Sequence, residues 1–317
     1  MRIARNHHQI AGYAAGIAAG VSYGLNPLFG KPLIEGGVGV LTLLFFRYLI
    51  SSILLAGWMF LRRESFRVSW RELRLLVLLG VLFSFSSIFL FESYKYIPSG
   101  LATTVVYLYP VFVAVTMLFF HVRPTWQVWL SIFATLVGVV LLCLPGGSVT
   151  LNGIGMLLAA LSALTYAFYL VIVNRAGRLH HVSEHTLTFY ALATGTVVFL
   201  SLYLVHHDAP FLQGIDSLEA VGNLLGLAIF PTMVSLLTLA IATRLIGPTK
   251  TAVLGVFEPV TAILVGTVIF AETLTANILL GLVLCIAAVL FMILTEKRPV
   301  KSNGAGDAGS KDKNISL

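Results

Sequence analysis

Charged residues are scarce in this sequence. Only 10% of the 317 residues are Asp, Glu, Lys or Arg, whereas 58% are hydrophobic and the mean hydropathy is +0.95. Soluble domains usually carry about 25% charged residues, so a soluble fold is excluded. Cysteine is scarce as well: Cys143 and Cys285 both lie in apolar segments, and no disulfide framework is expected.

Motifs for metal sites and nucleotide-driven enzymes are missing too. The chain contains no H-E-x-x-H, no Walker loop and no histidine, cysteine or acid cluster with zinc spacing. We therefore expect no enzyme, no catalytic residue, no metal and no cofactor. No repeated charged ring or carbonyl filter indicates a channel. An intramembrane enzyme and a channel-like permease without proton coupling are the alternatives to a carrier.

Long apolar segments take up most of the chain. A helix needs about 20 residues to cross about 30 Å of hydrocarbon, which makes the lipid bilayer the first expected partner. We predict an all-α polytopic membrane protein whose ten transmembrane helices span approximately 10–30, 38–61, 74–94, 99–120, 126–144, 153–173, 186–205, 220–243, 249–270 and 276–295. The first segment has full spanning length, so an uncleaved helix is expected rather than a signal peptide.

The positions of the basic residues explain the net charge of +7. With the N-terminus in the cytoplasm and ten alternating spans, 17 of the 20 Lys and Arg residues fall inside, Lys31 and Lys95 fall outside, and Arg47 lies within a span. This asymmetry follows the positive-inside rule. It predicts cytoplasmic N- and C-termini in the inner (cytoplasmic) membrane, and it removes the need for a nucleic-acid partner.

The two halves of the chain repeat one another. An offset of 149 residues places Pro110 on Pro259, and an offset of 143 places Tyr23 on Tyr166 and Phe46 on Phe189. A unit of five spans forces the second copy to enter the bilayer upside down. Such inverted repeats are typical of secondary transporters, in which the substrate site lies between the halves. The fold class is thus two inverted five-helix repeats around a central cavity.

These features resemble a known family. Phe46-Arg47, the stretch YIPSGLA…YPVF at 96–112 and its echo LIGPTKTAVLGVFEPV at 245–260 are similar to EamA-type transporters of the drug/metabolite transporter superfamily. The resemblance implies a helical bundle that moves small metabolites, outward, by alternating access. It divides the chain into an N-terminal cytoplasmic tail, two EamA-like repeats and a disordered cytoplasmic tail, at 1–9, 10–146, 150–296 and 297–317.

Two ionisable residues lie near the predicted bilayer centre. Arg47 and Glu258 are each nine residues from the start of their spans, on opposite faces, which places both about 14 Å deep. A charge there costs roughly 2.5–3.5 kcal/mol and usually marks function. Two interpretations stay open: the pair holds the bundle together, directly or through freed carbonyls, or it binds substrate, with Glu258 also binding a coupling proton.

Prolines and hydroxyl groups complete the predicted site. Pro110 and Pro259 remove helix hydrogen bonds at equivalent depths, which favours helix breaks at a shared cavity over plain kinks. Pro27 either breaks the first helix or, as we favour, ends it. Ser86 and Ser235 line the path or bond their own backbone. The remaining substrate-binding candidates are Asn26, Tyr23, Tyr109, Tyr166 and Tyr190.

The sequence therefore predicts a secondary active exporter. An arginine that attracts a carboxylate and a glutamate that attracts a cation suit a zwitterion, so amino acids and their relatives are the expected small-molecule substrates. Nothing in the sequence sets the number of subunits.

Overall fold

A computed structural model gives the fold of this chain. It describes residues 2–93, 96–97, 102, 105–142, 152–179, 181–206, 213–269 and 276–295. Within these ranges every regular element is a helix. The predicted C-terminal tail 297–317 lies outside the described residues, as do Lys95 and Cys143.

Thirteen α-helices are defined in the described ranges. They are α1 Arg2–Gly24, α2 Asn26–Glu35, α3 Val40–Leu61, α4 Trp70–Ser93, α5 Tyr109–Phe119, α6 Trp126–Leu142, α7 Gly153–Arg175, α8 Glu184–His206, α9 Leu218–Ala228, α10 Ser235–Ile246, α11 Pro248–Leu254, α12 Phe257–Ile269 and α13 Ala276–Thr295. A π-helical segment, Ile229–Val234, joins α9 to α10, and a 3₁₀ turn, Gly177–Leu179, follows α7.

In the part of the chain that the structure describes, six helical stretches are long and apolar enough to cross a membrane. They are Val40–Leu61, Trp70–Ser93, Gly153–Arg175, Glu184–Val205, Leu218–Ile246 and Pro248–Ile269. Shorter apolar helices occupy Tyr109–Phe119, Trp126–Leu141 and Leu279–Thr295. The polytopic all-helical class is confirmed, whereas the count of ten crossings stays a prediction.

Small residues bring α1 close to the second half of the bundle. Gly12, Gly16, Gly20 and Gly24 recur every fourth residue and therefore share one helix face. A Cβ at Gly20 would lie 2.9 Å from the Cβ of Phe257, and such close approach is typical of small-residue interfaces in membranes. The stripe lets α1 pack against α10, α11 and α12.

Helix packing is the same when the two halves are exchanged. Helix α1 contacts α10 and α12, and its counterpart α7 contacts α4 and α5. Helices α3 with α8, α5 with α11, and α6 with α13 pair across the centre. The hydroxyl of Ser86 donates to the carbonyl of Ser162 at 3.1 Å, and the aligned Ser235 donates to the aligned Ala19 at 3.0 Å. The two offsets read from the sequence thus describe equivalent contacts.

One prediction about the first span is wrong. Pro27 was expected to end the helix, but α1 stops at Gly24 and α2 continues through Pro27 to Glu35. Proline fits the first turn of a helix because the amide hydrogens there have no intrahelical acceptor. The chain is therefore broken at Leu25 and remains helical beyond it.

Candidate functional site

A cavity of about 180 Å³ lies in the middle of the bundle. The cavity is bounded by the end of α1, by α3, the second half of α4, the start of α5, α7 and the start of α12. Its lining residues include Tyr23, Asn26, Arg47, Phe83, Ser86, Phe91, Tyr107, Tyr109, Ser162, Tyr166, Glu258 and Pro259. Six of the lining residues are aromatic, and Arg47 and Glu258 are the charged side chains among the described lining residues.

Glu258 lies at a break between two helices. Helix α11 ends at Leu254, a turn covers Gly255 and Val256, and α12 begins at Phe257. At the break the carbonyl of Ala252 accepts the amide of Gly255 at 3.1 Å and also the Tyr109 hydroxyl at 3.0 Å. Gly255 permits this contact, because a Cβ there would overlap the Tyr109 hydroxyl oxygen. The break therefore presents Glu258 to the cavity while its backbone stays satisfied by a side chain from α5.

The Glu258 carboxylate is surrounded by tyrosines. Tyr23, Tyr107, Tyr109 and Tyr166 all interact electrostatically with it. Within the described part of the chain, the carboxylate of Glu258 has neither a hydrogen-bond donor nor an ion-pair partner. It is a half-buried acid that lines the cavity, where a ligand can reach it.

Arg47 is held by the π-helical segment of the second half. Pro231 has no amide hydrogen, so the carbonyl of Leu227 receives the Thr232 hydroxyl instead, at 2.8 Å. The same hydroxyl accepts a bond from Arg47 Nε, and Arg47 Nη2 donates to the Pro231 carbonyl at 3.2 Å. Two of its nitrogens are thereby fixed, and the side chain still lines the cavity.

Arg47 and Glu258 share the cavity without forming an ion pair among the described contacts. Tyr23 lies near both residues. The Arg47 guanidinium carbon is 5.7 Å from the centroid of the Tyr23 ring, and the Tyr23 hydroxyl interacts electrostatically with Arg47 and with Glu258. The direct pairing left open by the sequence is not observed. Arg47 instead bonds to a backbone carbonyl, that of Pro231.

A sequence model of the EamA-like transporter family matches the chain twice, over residues 10–144 and 153–294. The chain belongs to the EamA-like transporter family. The double match confirms the internal repeat inferred from the two offsets.

Relatives of this EamA-like protein are named as transporters. The Escherichia coli K12 protein "Uncharacterized inner membrane transporter YedA" is 25% identical over 88% of this chain and 89% of its own length. An "Uncharacterized transporter" of Archaeoglobus fulgidus is 27% identical over 60% of this chain and 66% of its own length, just under two thirds. A crystal structure with a TM-score of 0.75 and 18% identity covers 91% of this chain and 98% of its own, and shares its fold.

Most of the candidates predicted from sequence meet in the EamA cavity. The structure brings together Tyr23, Asn26, Arg47, Ser86, Tyr109, Tyr166, Glu258 and Pro259. Asn26 also donates to the carbonyl of Tyr23 at 2.8 Å, which satisfies the backbone beside the break at Leu25.

Three candidates lie elsewhere. The Tyr190 hydroxyl donates to the carbonyl of Phe66 at 2.9 Å, in the connection between α3 and α4. Ser235 joins α10 to α1 through the carbonyl of Ala19. Pro110 is buried in the first turn of α5, behind Tyr109. These residues support the helices around the cavity of this EamA-like protein.

Sequence reasoning missed several lining and supporting residues. Ser162 lines the cavity beside Ser86, with 3.2 Å between the two hydroxyl oxygens, and Tyr107 donates to the carbonyl of Val253 at 3.4 Å. Thr232 was missed because Pro231, a proline inside a long apolar segment, was not used as a signal. Like Pro110 and Pro259, Pro231 removes an amide hydrogen inside an apolar segment and therefore indicates an interrupted helix.

One short pattern match carries no catalytic geometry. Gly20 to Gly24 reads G-x-S-x-G, which in hydrolases forms a strand-to-helix turn. Here it lies inside α1, where its glycines pack against neighbouring helices. Among the described residues no group of three histidines, cysteines or acids is placed to hold a metal ion.

Proposed function

We propose that this chain is a secondary carrier that moves small zwitterionic metabolites, such as amino acids and their relatives, outward by alternating access. The observation that carries the proposal is that Glu258, which has no partner among the described residues, lies in the same cavity as Arg47. An ionisable side chain inside a membrane-spanning helix is costly and usually marks function, so this acid indicates a ligand that supplies the opposite charge. A zwitterion supplies both charges at once.

The aromatic wall supports the same substrate class. Phe83, Phe91 and the cavity tyrosines offer ring faces to an ammonium group and hydroxyls to a carboxylate. Glu258 is the proposed site of a coupling proton, because it is the acid among the described lining residues.

We also propose the predicted topology, with ten crossings, oppositely inserted repeats at 10–146 and 150–296, and both termini in the cytoplasm of the inner membrane. The name of YedA as an inner membrane transporter supports this location. The connections rich in Arg lie together, since Arg175 donates to the carbonyl of Phe120 and Thr186 donates to that of Ser65. We call this end of the bundle the basic end. Reporter fusions at both termini test the orientation.

Counterflow in liposomes tests the carrier function. The purified chain is reconstituted into liposomes that are loaded with unlabelled amino acids. Uptake of a labelled amino acid is then followed with and without a pH gradient. A carrier exchanges the two pools transiently, whereas a channel-like permease or an intramembrane enzyme does not. Absence of counterflow across a panel of amino acids and related zwitterions contradicts the proposal.

Glu258→Gln tests whether the Glu258 carboxyl group binds the coupling proton. The variant keeps the size of the side chain and removes its charge, so we expect uptake driven by the pH gradient to be lost while the protein remains folded. Glu219→Gln, which changes an exposed acid in the first turn of α9, is the matched control and should behave as the parent chain. Equal gradient dependence with and without the Glu258 carboxylate removes it from the mechanism.

Arg47→Ala tests whether Arg47 binds the carboxylate of the substrate. Removing a charge-assisted hydrogen bond costs about 1.5–3 kcal/mol, which predicts a loss of about 10- to 150-fold in affinity for carboxylate-bearing substrates. Neutral analogues should lose less. Arg71→Ala, which changes an exposed arginine of α4, is the control. Equal losses for both substrate classes, or a collapse of expression, assign Arg47 to holding the bundle.

A further inference from the structure

Polar contacts join the helices at the basic end of the bundle. Arg244, near the end of α10, donates from Nη1 to the carbonyl of Val182 at 2.7 Å and to Glu184 Oε1 at 3.0 Å. Its Nη2 donates to the carbonyl of Leu179 at 3.0 Å. We call these four residues the Arg244 clasp. One guanidinium thus fastens α10 to the connection between α7 and α8 and to the first turn of α8.

A second set of contacts fastens the start of α8 to the connection between α3 and α4. His185 Nδ1 lies 3.1 Å from Glu64 Oε2, and the Thr186 hydroxyl donates to the carbonyl of Ser65 at 3.0 Å. The basic end is therefore held by polar side chains as well as by apolar packing. Polar contacts of this kind can be exchanged for water when helices separate.

Behind the clasp are buried polar atoms that have no partner. The hydroxyls of Tyr169 and Thr188 and Nε of Arg244 are inaccessible and make no hydrogen bond in the described part of the chain. The first two residues are completely buried. Because an unsatisfied buried hydroxyl is unfavourable, its presence needs a compensating role, and a second conformation that hydrates it supplies one.

Tyr169 is connected to the cavity through Tyr166, and Thr188 is connected to the clasp through Glu184. Tyr166 lines the cavity, and Tyr169 lies one turn closer to the basic end with its ring nearly parallel, 6.4 Å away between centroids. Glu184 belongs to the clasp, and Thr188 lies four residues further along α8 on the same face. Tyr169 also interacts electrostatically with Arg244.

We propose that Tyr169 and Thr188 line the half of the substrate path that is closed in this conformation, and that the Arg244 clasp holds it closed. The inference rests on the proposed carrier function, because alternating access requires a second half of the path. When the clasp opens, α8 and α10 separate and water reaches both hydroxyls. They then offer hydrogen bonds to a zwitterion leaving or entering the cavity.

Thiol labelling in nanodiscs tests the proposal, because both faces of the bilayer are accessible there. Thr188→Cys is made in a chain whose two native cysteines are replaced, and a water-soluble, bulky maleimide is added without substrate. We expect slow labelling with Arg244 present and at least about tenfold faster labelling with Arg244→Gln, the change produced by a 1.4 kcal/mol shift toward the open state. Unchanged labelling overturns the proposal.

A control position separates gate opening from general loosening. Ser131 is completely buried in α6, where it donates to the carbonyl of Ala288 at 3.0 Å, away from the clasp. Ser131→Cys should stay unlabelled with and without Arg244, and labelling of both cysteines in the Arg244→Gln chain overturns the proposal. Arg244→Lys keeps the charge but loses the forked geometry, so an intermediate rate supports the clasp even if Arg244→Gln does not fold.

Counterflow on the same proteins keeps the two proposals apart. Fast labelling of Thr188→Cys after loss of the clasp, together with no counterflow in the parent chain, contradicts zwitterion transport and supports the gate. Counterflow in the parent chain with labelling independent of Arg244 overturns the gate alone.

Discussion

Gly255→Ala is predicted to disrupt the contact that supports the break beside Glu258. A Cβ at this position would overlap the Tyr109 hydroxyl oxygen and lie 2.9 Å from Tyr109 Cζ. The ring therefore has to move, and its 3.0 Å hydrogen bond to the carbonyl of Ala252 is lost. Because Tyr109 lines the cavity, the displacement also changes the shape of the site.

The expected cost has two parts. The carbonyl of Ala252 keeps the amide of Gly255 as a donor at 3.1 Å, so loss of the tyrosine bond costs only about 1 kcal/mol. Overpacking of a rigid interior adds about 1–3 kcal/mol. We therefore expect Gly255→Ala to lower the free energy of unfolding by about 2–4 kcal/mol.

A double-mutant cycle isolates the contact. Tyr109→Phe alone should cost about 1 kcal/mol, and in its presence Gly255→Ala no longer meets the hydroxyl oxygen or breaks a hydrogen bond. The double variant should be no less stable than Gly255→Ala, which gives a coupling free energy of about 1–3 kcal/mol.

Unfolding of the four proteins in mixed micelles with increasing denaturing detergent measures the cycle. Gly57→Ala is the matched control, since no atom lies within 4 Å of a Cβ at that position in α3. It should be neutral or stabilising by about 0.5–1 kcal/mol. Additivity of the two substitutions within about 0.5 kcal/mol would refute the reasoning.

Two further substitutions separate support of the cavity from contact with substrate. Thr232→Val removes the hydroxyl that accepts from Arg47 Nε and donates to the carbonyl of Leu227. It should lower the free energy of unfolding by about 2–4 kcal/mol and weaken the binding of carboxylates. Thr232→Ser keeps the hydroxyl and should restore stability and binding, which unfolding and binding assays on the two variants check. Tyr190→Phe removes the bond to the carbonyl of Phe66 and should cost about 1 kcal/mol in the unfolding assay without changing substrate affinity; a change in affinity would place Tyr190 at the site.

Several elements of the fold could be predicted because they follow from composition and period. Apolar length located the spanning helices, and the repeat offsets predicted that Ser86 and Ser235 are equivalent, as their contacts with Ser162 and Ala19 confirm. Glycines recur at every fourth position of the first helix, and close packing is observed between Gly20 and Phe257. These properties depend on local sequence or on composition, so they can be predicted without knowing which helices are in contact.

The interruptions of the helices were harder to place. Pro27 starts a helix instead of ending one, and Pro231 lies in a π-helical segment that accepts Arg47. A proline removes one donor wherever it stands, but the structural result depends on which group fills the freed carbonyl. At the carbonyl of Leu227 that group is the hydroxyl of Thr232, five residues further along the chain.

The sequence by itself determined that this chain is a membrane-embedded helical bundle with a repeated half, and that Arg47 and Glu258 need a reason to be there. Only the tertiary structure decided that Arg47 and Glu258 line one cavity with no ion pair between them among the described contacts, that Tyr190 and Ser235 support helices elsewhere, and that Arg244 joins α10 to the start of α8. The physical reason is that hydrophobic length and charge cost act on each helix separately. The partner of a buried polar atom is set by the rotation and contact of helices far apart in the chain.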